Sequence, residues 1–116
     1  MTVNEAISKS ATLFPADFDT DAACVYLSEI ESRISRTLFS GQDIEITAER
    51  GQLVLIAPDA FAQIYPLYIV MRRELAYGDA DRYAFYSSVF EQVYSEYASY
   101  VCRTAELKSS TPIKNI

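Results

Sequence analysis

The chain has 116 residues, half of them hydrophobic and 22% charged, a composition that suits one folded domain with a single core and excludes a disordered chain or two ordinary domains. Sixteen acidic against ten basic side chains leave a formal charge of -6, and a surface of that sign repels a phosphate backbone rather than recruiting it by counterion release. Sequence-specific reading of nucleic acid is therefore not expected.

In chain order, Thr2 and Glu5 stand at capping-box spacing, which predicts a first helix over about residues 3 to 12. "LFPADFDTD" breaks it, because Pro15 cannot continue a helix, while Asp19, Thr20 and Asp21 offer an N-cap and negative charge to a second helix starting near Asp21. Ala23, Leu27, Ile30, Ile34 and Leu38 lie on one stripe of that helix, which should end near Phe39, before Gly41. The pattern then changes to period two in "DIEIT" and to a short apolar run in "QLVLI", with "AERG" between them as a plausible turn. A small hairpin or two extended arms over residues 43 to 56 is the expectation.

Pro58 suits the first turn of a helix, and Phe61, Ile64, Tyr65, Tyr68, Arg72 and Leu75 continue at helical spacing. Pro66 implies that this third helix is kinked or begins at Pro66 itself. Gly78 ends it, and Asp79 or Asp81 caps a fourth helix running to about Glu106. The expected architecture is mainly α: a bundle of about four helices with a short β-hairpin or extended arm between the second and third. Residues 1–107 form one domain, which carries eight basic and sixteen acidic side chains, and 108–116 form a flexible tail.

Five of the nine tyrosines fall between residues 82 and 100. Tyr83, Tyr86, Phe90, Val93, Tyr94, Tyr97, Tyr100 and Val101 share an arc of about 120° at 100° per residue, with Phe85 and Val89 widening it. Such a stripe usually packs inward. Tyrosine also suits a core margin or subunit interface, where the ring is buried and the hydroxyl stays hydrogen-bonded. Only Arg82 and Arg103 flank the run, too few for a nucleic-acid stacking platform.

The chemistry of an enzyme is missing. There is no histidine, and no GxSxG, SxxK or glycine-rich phosphate loop surrounds the serines. Glu29 with Glu31, Asp43 with Glu45, and Asp79 with Asp81 are read as solvated or capping charge. Arg72 and Arg73 bind an acidic partner or make structural ion pairs with neighbouring helices. Cys24 and Cys102 lie far apart without a CxxC, so two buried thiols are expected and neither a metal site nor a disulfide. No cofactor is implied. The opening residues lack a signal-peptide pattern and no apolar run approaches about 20 residues, so the expected setting is the cytoplasm, away from membranes.

The order of Met1 to Ile7, the extended Leu53 to Pro58, Tyr65 and Tyr68, Gly78-Asp79, Arg82-Tyr83, then Phe90, Tyr94, Tyr97 and Tyr100 resembles a family of small tailed-bacteriophage proteins, the head-tail connectors or DNA-packaging adaptors common in prophages. The likeness is strongest at residues 1 to 7 and 53 to 103. Pro66 and the "AFYSS" after Arg82-Tyr83 depart from the family pattern. The resemblance implies a helical subunit that assembles as a ring beneath the portal protein, extends the DNA channel and docks the tail or a stopper protein, in the host cytoplasm during assembly and then in the virion. An acidic lumen would let DNA pass without sticking. The assembly contacts are expected at Tyr86, Tyr94, Tyr97 and Tyr100, at Ile44, Ile46, Leu53 and Leu55 of the extended segment, and at Arg72 and Arg73. The alternative is a small acidic helical adaptor or regulatory protein that binds one protein partner through the same tyrosine face.

Overall fold

A computed structural model describes residues 1–13 and 19–114, with side chains through residue 105. The chain forms α1 Val3–Leu13, α2 Thr20–Phe39, α3 Ile64–Tyr77 and α4 Ala80–Lys114, with an arm between α2 and α3 that carries two 3-10 turns, Ala48–Arg50 and Asp59–Phe61. It is a small helical bundle. The expected break at Pro15 lies outside the described residues, as does the end of the expected tail. The α4 backbone runs on to Lys114, past the predicted end near Glu106.

Local chemistry sets the helix ends. The Thr2 amide donates to Glu5 Oε1 at 2.9 Å and the Glu5 amide to Thr2 Oγ1 at 3.3 Å, closing the capping box. Asp19 Oδ1 accepts from the amides of Asp21 and Ala22 at 3.0 and 3.2 Å and starts α2. At its far end Ser40 turns left-handed, and the Gly41 amide bonds back to the Ser35 carbonyl at 2.8 Å. A Cβ on Gly41 would lie 2.4 Å from Ser35 Oγ, so a side chain there would force the Ser35 hydroxyl to move.

Helix α3 is the hub, packing against α1, α2 and most extensively α4. Ile64, Tyr65, Ile69 and Val70 on it are fully buried, as are Ala23, Leu27, Ile30 and Ile34 of the α2 stripe. Pro66 does not begin α3. It occupies the third helical position, where the missing N–H would have had no intrahelical partner. Pro58 precedes a 3-10 turn instead of opening an α-helix.

Gly78, at φ 92°, closes α3; its own amide and that of Asp79 reach the Glu74 carbonyl at 3.0 and 3.1 Å. A Cβ there meets nothing within 4 Å, so the cost of a side chain is purely conformational. Gly78→Ala should lower stability by about 1–2 kcal/mol, read as a lower urea midpoint at unchanged slope. Asp79 Oδ1 then accepts from the Arg82 amide at 3.0 Å and starts α4.

The expected hairpin is not formed: the described residues contain no strand, only an isolated antiparallel bridge between Thr2 and Val54. The arm keeps the expected alternation but finds other partners. Ser28 and Ser32, one turn apart on α2, accept from the amides of Ile46 and Ile44 at 2.8 and 2.9 Å, taking the donors a hairpin ladder would have used. After the Ala48–Arg50 turn the chain pairs with the amino-terminal residues: the Val3 amide reaches the Leu53 carbonyl at 3.0 Å, and the Leu55 amide the Met1 carbonyl at 2.9 Å.

Candidate assembly groove and the carboxylate beside it

Where α2 ends, the arm and α4 leave an apolar groove of about 360 Å³ between them. Leu38 and Phe39 line it from α2, Ile56 and Pro58 from the arm, and Tyr97, Tyr100, Val101, Thr104 and Ala105 from α4. Phe39, Ile56 and Tyr100 are 51%, 38% and 42% exposed. Phe61 props the α4 side, its ring 5.3 Å from that of Tyr97 and 5.2 Å from that of Tyr100. Among the described residues no charged side chain lines the groove, so the contact chemistry they offer is burial of apolar surface.

The groove's arm wall is anchored by Glu31, which is 2% exposed on α2. Its Oε2 accepts from the Ile56 amide at 2.7 Å and its Oε1 from the Tyr65 hydroxyl at 2.7 Å. Tyr65 Oη in turn accepts from the Ala57 amide at 2.8 Å. Burial pushes the Glu31 carboxyl above the ordinary carboxylate range, and these two bonds only partly oppose it. Burial, with the Glu31 charge next, raises the phenol of Tyr65 far above its ordinary value and that of Tyr97 to about 12. The reading of Glu31 as solvated charge is thus corrected: it faces another side of α2 from the half-buried Glu29, two residues before it.

The ten residues expected at assembly contacts divide sharply. Tyr94, Tyr97, Ile46, Leu55 and Arg73 are buried within the chain itself, so their side chains hold the subunit together and offer no free surface. Ile44 and Leu53 pack partly buried against the core. Arg72 Nε lies 3.2 Å from Glu29 Oε1, with its guanidinium 5.3 Å from the centre of the Tyr26 ring, an ion pair within the subunit. Tyr86 is half-buried, edge-on to Phe85 at 5.2 Å. Tyr100 alone of the ten lines the groove with more than a third of its surface exposed.

Tyr68 also satisfies its hydroxyl, as a buried phenol must. Tyr68 donates to Glu29 Oε1 at 2.8 Å, and burial followed by that bond pushes its phenol to about 12. Tyr94 is the exception: its hydroxyl is buried without a hydrogen-bond partner among the described residues. The Arg33 guanidinium lies 4.1 Å from its ring centre.

Asp43 is exposed and paired with Arg36 at 2.8 Å. Cys24 is buried as expected and Cys102 is not: five positions after Tyr97, it stands about 140° round α4 from the core face. Among the described residues no cluster of His, Cys, Asp or Glu could hold a metal ion, and no helix is long and apolar enough to cross a membrane. Phe39 and Ile56 were not singled out from the sequence. Their signal was weak: Phe39 is an apolar residue beside a helix end, off the buried stripe. Comparison with known proteins gives no match to a family model, a curated protein or a solved structure.

Proposed function

We propose that this chain is a structural subunit of a tailed-phage head-tail junction, assembling as a ring beneath the portal protein, around the DNA, and docking the tail or stopper. The observation that carries the reading is a pair of separated apolar faces on one small subunit. One is the groove at Phe39, Ile56 and Tyr100. The other is a set of exposed apolar side chains around the acidic α3–α4 turn, Leu75, Tyr77 and Phe85, which are 49%, 73% and 62% exposed. Phe85 and Tyr100 lie about 22 Å apart along α4 at 1.5 Å per residue.

Two unlike faces on one subunit are what heterologous contact requires, and such contacts close into rings when the rotation permits. The resemblance of residues 1 to 7 and 53 to 103 to phage connectors supplies the setting, and the acidic balance of the chain suits a channel through which DNA slides. Electron microscopy of the purified protein, alone and mixed with a portal protein encoded beside it, tests the reading. Coaxial rings on the portal are expected, and Phe39→Ser or Phe85→Ser should abolish them without loss of helix by circular dichroism. A 1:1 complex with a single partner and no ring in any salt would replace the connector with the small adaptor.

A further inference from the structure

Two carboxylates are buried among the described residues, Glu31 and Glu74. Glu74 has the Arg82 guanidinium 2.6 Å away. Glu31 has no cation partner among the described residues, only two neutral donors, and one of these is the backbone of the arm at Ile56. Ile56 and Pro58 are also the arm's contribution to the groove. The charge state of one side chain is therefore tied to the wall of the apolar groove.

We propose that Glu31 is a proton-controlled latch on the arm: its ionisation favours lifting of residues 56–58 from α2 and α3, which opens the apolar groove. The proposal is independent of the connector reading, since it concerns how the groove opens and not what enters it.

A carboxylate taken from water without a cation carries a desolvation cost that neutral donors only partly offset. Lifting the arm lets water reach it and removes that cost. The titratable groups facing Glu31 are Tyr65 from α3 and Tyr97 from α4; α1 contributes none, and the arm presents the Ile56 amide. Both phenols stay neutral near pH 7, so Glu31 alone changes charge.

The closed arm holds the carboxyl above its ordinary range, so the closed form binds more protons than the open one. Opening then releases a proton to water. The open population is lowest where Glu31 is protonated in both forms, rises with pH through the raised value and levels off above it. Ile44 and Ile46 provide an internal reference, because their amides are held by the non-titrating hydroxyls of Ser32 and Ser28.

Native-state hydrogen exchange on the full chain, corrected for intrinsic rates and followed from about pH 4 to 8, around the ordinary carboxylate range, tests the latch. The expected result is a fall in protection at Ile56 and Ala57 of about tenfold per unit by which the closed arm raises the carboxyl. Protection at Ile44 and Ile46 should stay level, and Glu31→Gln should flatten the fall. If all four amides lose protection together, or if Glu31→Gln keeps the pH dependence, the latch is overturned. A direct carboxyl titration by NMR decides independently of any variant: a Glu31 that titrates at or below the ordinary value would also overturn it.

Discussion

Tyr97→Ala is expected to cost roughly 3–5 kcal/mol of stability, as deletion of a large buried aromatic does. Tyr97 is 1% exposed and packs its ring 5.3 Å from that of Phe61, so truncation leaves a cavity where α4 meets the arm's second turn. It would also remove part of the groove's floor. Ser95, two residues earlier and exposed, should tolerate alanine within about 0.5 kcal/mol. Urea melts of the two variants decide the matter. Equal midpoints would mean that the α4 aromatics do not form the core.

A subtler change has the second-largest expected effect. Tyr65→Phe keeps the ring and removes one oxygen, yet that oxygen accepts from Ala57 and donates to Glu31. The variant leaves a buried amide without a partner, at about 1–3 kcal/mol, and the carboxylate with one donor fewer, at about 1 kcal/mol, or roughly 2–4 kcal/mol together. The sign of its pH dependence follows. The lost hydroxyl served the ionised carboxyl, so its removal raises Glu31 further, and the deficit should be larger at pH 8 than at pH 5. A variant within about 0.5 kcal/mol of the parent at both pH values would show that the hydrogen-bond chain contributes nothing net.

Much of the helical frame was legible in the sequence because its signals are local. The Thr2–Glu5 box, the Asp19 cap, the glycine at 78 and the four-three spacing of Ala23 to Ile34 each concern residues within a turn or two of one another. The arm was half legible: its alternation correctly put Ile44 and Ile46 on one side, but apolar alternation does not say which donors and acceptors will complete the backbone. Ser28 and Ser32 on α2 supplied them. Serines spaced by four beside an apolar stripe were the available signal, and they read equally well as ordinary helix surface.

The candidate site was less legible than the fold. A wide aromatic face identifies buried area, whereas contact with another molecule depends on what remains uncovered after the subunit folds. Tyr94 and Tyr97 went to the core, while Tyr100, one turn beyond Tyr97 and near the end of the packed region, kept its surface. Glu31 shows the same limit in reverse, since its spacing from Glu29 suggested solvated charge and the approach of the arm buried it.

By itself, then, the sequence determined the helices and their ends, apart from the start of α3 and the end of α4, because hydrophobic period and capping act over a few residues. Only the tertiary structure decided that the arm lies on α2's serines, that Glu31 is enclosed by Ile56 and Tyr65, and that α2, the arm and α4 leave a groove between them. Those outcomes join residues from 12 (Ser32 to Ile44) to 67 (Leu38 to Ala105) positions apart in the chain. Packing, not local preference, selects among the partners available at such range.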